Sequence, residues 1–500
     1  MTSSRFATGG RIDRSRRLGF TFDGRRYEGF GGDTLASALL ASGVTLMGRS
    51  FKYHRPRGLL SGGASEPNAL VTIGEGPRRE PNLRASMVEL HDGLVAESQN
   101  RWPSLGFDLG AVNSLLSPFI GAGFYYKTFM WPAALWEKLY EPAIRRAAGL
   151  GRASHLPDQA AYEKCWAHCD LLVIGGGPAG LMAALAAGRA GARVILCDEM
   201  AEPGGRLLAD DVEIGDTDGP GFAGAALAEM AGLTNVEILP RTTVFGWYDS
   251  NVFGAAERSK GTAAGVPAQR VWRIVARRAI LAAGAEERPL VFGNNDRPGI
   301  MMASAMRGLA RMQAVRAGSR VAVFTTGPSG HETAGALAAL GVEVAAVIDS
   351  RTDIPEAERA ASAGVPVLAG HVVADASGGR QLSGISVLDR ASGRRSRIAA
   401  DALAMSGGWS PIVHLACQRG DRPVWDSAAG IFLPPGKGQH SALNALAEDG
   451  WGRIFALSNF GGVYLLVEKN VKVAKPKSGK KSKKKRRTQA KRKSKSKKRS

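Results

Sequence analysis

The sequence predicts an α/β protein. A small α+β domain of the β-grasp kind comes first. A doubly wound domain follows, with a second subdomain of the same type inserted in it, and the chain ends in a disordered basic tail. Three observations carry this reading. Two strand-like runs flank Asp23-Gly24 near the N-terminus, a strong hairpin signal. Strand–turn–helix–strand units recur at 170–197 and 320–348. Residues 472–500 carry 17 of the 66 Lys and Arg and no acid.

The composition narrows the function. Five hundred residues, 44% hydrophobic and 22% charged, make two or three soluble domains. A net charge of +21 suggests a nucleic-acid or membrane-surface partner. Without the basic tail, however, 49 basic residues face 45 acids, so the body is only +4. Four cysteines (Cys165, Cys169, Cys197, Cys417) make no disulfide framework and fit a reducing, cytoplasmic setting. Early arginines without an apolar run exclude a secretory signal. The most apolar stretch, 111–136, is broken by Asn113, Pro118, Lys127 and Pro132. It falls short of the roughly 18 clean residues of a membrane span and reads as an aromatic packing or docking segment.

In chain order, residues 1–95 form the first domain. Leu18–Phe22 and Arg25–Tyr27 are strands, and Thr34–Ala41 is a helix with Asp33 placed to cap it. Gly62-Gly63 is a tight turn and Leu70–Ile73 a buried strand. A connector, 96–168, holds aromatic clusters and two helical patches, near Ala133–Ala148 and Asp158–Cys165. From 169 to 290 runs the first part of the doubly wound domain. Its strands are Asp170–Ile174 and Arg193–Cys197, with a small-residue helix between them at Ala179–Ala190. The second subdomain occupies 291–400, and 401–436 returns to the first.

The turn Gly175-Gly176-Gly177-Pro178-Ala179-Gly180 fits G-x-G-x-x-G, leaves an apolar strand and opens a helix. An acidic pair, Asp198-Glu199, ends the next strand. In this Rossmann pattern Gly175 permits the turn and Gly177 lets backbone N–H groups approach a pyrophosphate. Gly180 lets helix and strand pack closely, and the acid bonds ribose hydroxyls. An acid rather than a base at that place favours NAD or FAD over NADP. Gly204-Gly205-Arg206 adds a second close approach and a cation for a phosphate, and backbone groups of Val244 are placed to read the adenine edge. Arg277–Ala285 resembles the strand and small-residue turn that rejoins the first sheet in two-dinucleotide-domain flavoproteins.

The second unit has a poorer turn, Thr325-Thr326-Gly327-Pro328-Ser329-Gly330-His331, although Asp349 keeps the acidic position. It reads as packing scaffold. Cys165, His168 and Cys169 lack a second ligand pair, so no metal site is expected. His54, His155, His331 and His414 have no evident partner, and no residue is assigned a catalytic role.

These residues also carry a resemblance. Gly32–Ala41, Gly48–Gly58, Glu66–Ala69, Asn294–Met301 and Ser406–Pro411, with the glycine turn and its acids, resemble the α subunit of heterotetrameric sarcosine oxidase up to about residue 435. The resemblance implies a first domain related to [2Fe–2S] ferredoxins. Cluster-bearing relatives place cysteines near Gly62–Ser65, where this chain has none. It also implies NAD held without turnover by Ala179, Asp198, Glu199, Met200, Arg206 and Val244. Sarcosine would be demethylated on a β subunit bearing FAD, with FMN at the α–β interface and γ and δ subunits completing the complex.

The resemblance further implies a C-terminal domain like the glycine-cleavage aminomethyltransferase, binding tetrahydrofolate. Residues 437–471 and the tail 472–500 depart from that pattern, so the expectation is a product without the folate site, truncated or shifted in frame near residue 436. Three further readings compete. One is the α subunit of another FAD-dependent amine dehydrogenase, with FAD in the first site. Another is a truncated product without activity. The third is a nucleic-acid-binding tail. No aromatic residue lies between Lys472 and Ser500, so nucleic acid is expected to bind there only non-specifically, if at all.

Overall fold

The computed structural model describes residues 4–121, 123, 131–147, 149–259, 265–418, 420, 422–427 and 430–433. It also gives the backbone of three strands, Leu446–Glu448, Arg453–Leu457 and Val463–Glu468, which pair antiparallel. Those strands fall in the segment expected to depart from the family. The basic tail lies outside the described residues.

The first domain is built on the expected hairpin. β1 (Asp13–Phe22) and β2 (Arg25–Gly31) pair antiparallel, and Asp23 (φ 48°) and Gly24 (φ 76°) take the left-handed conformations a two-residue turn needs. Next come α1 (Leu35–Ala41), β3 (Leu70–Ile73), β4 (Glu80–Arg84) and β5 (Leu94–Ser98). The sheet order is β2-β1-β5-β3-β4 with β5 parallel to β1, a β-grasp sheet. All seven residues of α1 are buried. One detail differs from expectation. Thr34, not Asp33, caps α1, because its hydroxyl lies at the right spacing to accept the Ser37 N–H in a capping box. Asp33 turns inward and accepts from Arg5, the Phe30 N–H and the Ser37 hydroxyl.

The connector contains α2 (Glu141–Ala147) within the first expected helical patch. The second patch, Asp158–Cys165, is not a helix. β6 (Tyr162–Ile174) begins there and runs thirteen residues. Cys165, Ala167 and Cys169 are the more buried positions between exposed Trp166 and His168, a period of two that only a strand accommodates.

β6 is the centre of the first nucleotide domain. It is followed by α3 (Pro178–Arg189), β7 (Val194–Cys197), α4 (Gly219–Ala231), β8 (Val236–Leu239), β9 (Thr242–Tyr248), β10 (Val252–Arg258) and β11 (Gln269–Leu281). The sheet order is β8-β7-β6-β11-β10-β9, with β11 parallel to β6 from Gln269 opposite Tyr162 to Leu281 opposite Ile174. β12 (Ala285–Glu287) then leaves this domain.

The second subdomain holds β13 (Ile300–Met302), α5 (Ala303–Met312), β14 (Arg320–Thr325), α6 (Pro328–Ala339), β15 (Glu343–Asp349) and β16 (Val367–Ala369). An antiparallel ribbon of β17 (His371–Gly378), β18 (Leu382–Asp389) and β19 (Arg395–Ile398) covers it. β20 (Ala402–Ser406), expected in the return segment, is instead inside the sheet β13-β20-β14-β15-β16. Its five residues are all buried, as a parallel strand covered on both faces requires. The return starts after it, where β21 (Trp409–Pro411) pairs with β12.

The β-grasp domain is not a loose appendage. Its core is continuous with that of the second subdomain, from Leu35, Leu39 and Met47 to Met301, Met306 and Val315. Two sequence motifs meet at this joint. The Arg55 guanidinium bonds both Asp296 oxygens at 2.6 and 2.7 Å, and Arg57 adds a third contact at 2.6 Å. Burial pushes the Asp296 carboxyl up, but the Arg55 bond and the two positive charges outweigh it and hold the group below the ordinary carboxylate range. We expect Asp296→Ala to lower stability in urea unfolding by about 1–3 kcal/mol. Arg55→Lys, which keeps the charge but not the fork, should cost less.

Candidate functional site

The glycine turn between β6 and α3 behaves as its spacing demands. Gly175 has φ +103°, and a Cβ there would stand 2.4 Å from the Ala282 carbonyl oxygen. A Cβ on Gly180 would stand 1.8 Å from the Gly175 carbonyl oxygen, so helix and strand can approach only with glycine at that position. Gly177 faces open space, with nothing within 4 Å of its Cβ position. Pro178 opens α3, and the first-turn N–H groups of Ala179 and Gly180 have no partner within the helix. An open helix N-terminus of this kind has the geometry that suits an anion.

Asp198 ties the glycine turn to the next strand. Its Oδ2 accepts the Gly176 N–H at 2.6 Å and its Oδ1 accepts the Met200 N–H at 2.8 Å. The Thr242 N–H donates to the Asp198 carbonyl at 2.7 Å and the Arg241 N–H to the Met200 carbonyl at 2.9 Å. The start of β9 is thereby stitched to the acidic turn. Burial pushes the Asp198 carboxyl up against these two N–H bonds. Glu199, less buried, is also raised, by burial first and then by the charge of Asp198. Val244 lies on the edge strand with its side chain in the core, so only its backbone is placed to meet a ligand.

The second glycine pair joins the first. A Cβ on Gly205 would stand 3.0 Å from the Cα of Gly177, so the two turns touch. Arg206 beside it donates to Asp210 at 2.6 Å and stacks 4.4 Å above the Trp409 ring. Its buried Nη1 has no hydrogen-bond partner among the described residues. The predicted residues Gly175, Gly177, Ala179, Gly180, Asp198, Glu199, Met200, Gly205 and Arg206 thus gather around one turn, with Val244 on the strand beside it. A cavity of about 1830 Å³ opens past Met200, Gly205, Arg206 and Trp409, and the β-grasp domain forms its other wall. Sequence reasoning missed Trp409 as a site residue and missed that wall altogether. Trp409 lies in one of the long motifs, which was the only signal available.

The open face at Gly177, the orphaned Arg206 Nη1 and the acid-terminated strand fit a dinucleotide. The β-grasp domain does not fit an iron–sulfur cluster, because the first cysteine in the chain is Cys165. Burial raises the Cys169 thiol to about 11 and pushes the Cys197 thiol up further. Among the described residues, no group of three or more His, Cys, Asp and Glu could hold a metal ion, and no helix is long and apolar enough to cross a membrane.

Two of the four histidines singled out in the sequence do have partners. His54 bonds Asp108 at 2.6 Å, and fully buried His331 bonds Asp349 at 2.9 Å and Ser362 at 2.7 Å. His155 and His414 are exposed.

Comparisons with known proteins follow this division. A family model described as "2Fe-2S iron-sulfur cluster binding domain" matches residues 15–101. One described as "Pyridine nucleotide-disulphide oxidoreductase" matches residues 169–431, more than half of the chain. The sarcosine oxidase subunit alpha of Rhizobium meliloti (strain 1021) is 58% identical over 456 residues, covering 90% of this chain and 46% of that protein. That of Corynebacterium sp. (strain P-1) is 40% identical over 437 residues, covering 85% and 40%. The chain is homologous to these subunits and spans less than half their length. Among solved structures, L-proline dehydrogenase from P. horikoshii shares the fold with a TM-score of 0.57 at 19% identity, covering 87% of this chain and 68% of that one.

Asp198→Asn should cost about 1–3 kcal/mol, since its amide turns an N–H toward one of two buried N–H donors. The sign of the pH dependence follows from the raised carboxyl. Between the unfolded value near ~3.9 and the higher folded one, the folded chain holds the extra proton, so this contribution falls as pH rises. The wild-type advantage over Asp198→Asn in urea unfolding is therefore expected to shrink as pH is raised through that window.

Proposed function

We propose that the chain, which belongs to the pyridine nucleotide-disulphide oxidoreductase family, is the nucleotide-holding α subunit of a sarcosine oxidase-like complex. The observation that carries this reading is the contact between the two glycine turns, Gly177 against Gly205, beside the unpartnered Arg206 Nη1. Together they put a cation with a free N–H beside an open helix N-terminus.

In this reading Gly177, Ala179 and Gly180 supply N–H groups to the pyrophosphate of NAD, and Arg206 supplies a cation. Asp198 shapes the loop and, with Glu199, faces the ribose, while the Val244 backbone borders the adenine. When bound, NAD supplies a hydride-accepting ring, and here the chain holds it without turnover. Arg206 is kept in place by Asp210 and Trp409. The acids at 198 and 199 disfavour a 2′-phosphate through like-charge repulsion, which supports NAD over NADP.

Oxidation of the amine belongs to the partner in this reading. A flavin-bearing β subunit with FAD, and FMN at the α–β interface, takes two electrons from sarcosine and passes them to oxygen, with γ and δ subunits completing the assembly. The cavity is also large enough for FAD, the occupant required if the chain serves another amine dehydrogenase. Tetrahydrofolate chemistry would belong to the part of the relatives that this chain does not span, and the setting is cytoplasmic.

Co-expression with a flavin-bearing β subunit tests the reading. The complex should release NAD on acid denaturation and form peroxide with sarcosine, and the chain alone should do no sarcosine oxidation. Release of FAD from the chain would favour the other dehydrogenase; oxidase activity of the chain alone would overturn the proposal. Arg206→Ala should weaken NAD binding about tenfold to a hundredfold, as loss of one charge-assisted phosphate contact does, measured by titration calorimetry.

A further inference from the structure

The β-grasp domain contributes a loop to the cavity, residues 60–69, where a cluster-bearing relative would need thiolates and this chain has none. The loop is ordered by a different device. Glu66 is fully buried, and its two oxygens accept four backbone N–H groups, Leu60 and Ser61 at 2.7 Å each, Asn68 at 2.5 Å and Ala69 at 2.7 Å. A single carboxylate therefore ties both ends of the loop together, and the Arg84 Nε donates to the Glu66 carbonyl at 3.2 Å. Charge-assisted bonds of this kind are the strong ones, and Glu66 makes four of them.

The folded loop is pressed against both nucleotide subdomains. The Met302 N–H donates to the Leu60 carbonyl at 2.7 Å. A Cβ on Gly63 (φ +63°) would stand 3.5 Å from the Met200 sulfur. Ser65 donates to Glu286 at 3.1 Å. These contacts close a circuit. It runs from Gly177 to Gly205 and Arg206, across to Trp409, which lies opposite Glu287 in the β12–β21 pair, and from Glu286 to Ser65. From Gly63 it returns through Met200 and Asp198 to Gly176. On the loop's part of this circuit stands Ser61, which is 9% exposed and lines the cavity, and whose hydroxyl has no partner among the described residues. A buried hydroxyl without a partner beside a cavity calls for an explanation, and a ligand in the cavity supplies one.

We propose that the loop Ser61–Ser65, held in shape by Glu66, is part of the dinucleotide site, and that the Ser61 hydroxyl bonds the nucleotide half beyond the pyrophosphate. Asp198, Glu199 and Val244, the adenosine contacts of the reading above, do not line the cavity, whereas Arg206 and Ser61 do, and this places Ser61 with the part of the ligand beyond the pyrophosphate. The ferredoxin-like domain thereby serves as a nucleotide clamp rather than an electron carrier. Glu66 is a positioning residue and touches no ligand. This inference rests on the nucleotide-binding reading above.

The test titrates the full chain, stripped of nucleotide, with NAD and separately with ADP. Ser61→Ala should weaken NAD binding about five- to tenfold and change ADP binding less than about twofold, the loss expected of one hydrogen bond to a neutral group. Ser61→Thr, which keeps the hydroxyl, should restore NAD affinity. NAD should also slow amide exchange across residues 60–69, and Glu66→Gln should abolish that protection. Unchanged NAD affinity in Ser61→Ala overturns the proposal and leaves the parent reading standing. Equal losses for NAD and ADP overturn the assignment of Ser61 to the distal half. Wild-type chain that binds neither ligand overturns both. If Glu66→Gln fails to fold, the Ser61 variants still decide the matter.

Discussion

The site depends on one buried carboxylate without a charge partner. Asp198 accepts N–H groups from two separate loops, the glycine turn through Gly176 and the acidic turn through Met200. Its own carbonyl takes the Thr242 N–H of the strand that follows. Burial alone would drive such a group to neutrality. What keeps it in place is geometry: both donors belong to backbone that has no other partner at those points. Remove the carboxylate and two N–H groups are left unsatisfied on opposite sides of the crevice. The spacing between glycine turn and acid, so prominent in the sequence, is therefore first a folding constraint and only then a binding one.

A second constraint sets the far wall. The β-grasp domain shares its core with the second subdomain and is pinned there by Arg55 and Arg57 on Asp296. It reaches the first subdomain through Arg241 on Glu89, at 2.5 and 2.8 Å, and through Arg11 on Glu202. The two attachments differ in kind. The first is apolar and partly buried, whereas the second is made of more exposed ion pairs that salt screens and that contribute little to stability. The domain is thus fastened to one nucleotide subdomain and lightly latched to the other, with the cavity between them.

Much of this was legible in the residues and some of it could not be. Asp23-Gly24, the glycine turn and the buried run Leu70–Ile73 speak for themselves, because turn chemistry and hydrophobic period are local properties. The start of β6 was misread as helix because Cys165, Ala167 and Cys169 alternate over too few residues to stand out. Asp33 outranked Thr34 as a cap by residue type, although the capping distance favours Thr34. Contacts such as Arg55 with Asp296 join positions 241 apart, and no pattern within either segment announces the other. The same limit hid Trp409 and the loop around Glu66. The motifs that contain them were visible as motifs, but their partners were a matter of tertiary packing.

The two nucleotide-type units make the decisive comparison, because topology is held constant between them. Each has a strand, a glycine-containing turn, a helix and an acid at the end of the next strand. At the first, Asp198 meets only backbone N–H groups and burial raises its carboxyl. At the second, Asp349 is equally central, and burial again pushes its carboxyl up. There, however, bonds from His331 and Arg351 outweigh burial and hold it below the ordinary range. His331 sits in the helix whose first turn would face a phosphate, and Ser362 holds its other nitrogen. That acid is already satisfied by charged and polar side chains of its own chain, so a ribose hydroxyl would have to displace a buried partner to reach it. The glycine before the helix does not separate the two units, because Gly327 has as much open space as Gly177. Fold alone therefore does not decide which of two similar units takes a nucleotide. The partners of one carboxylate differ between them: backbone N–H groups at Asp198, charged and polar side chains at Asp349.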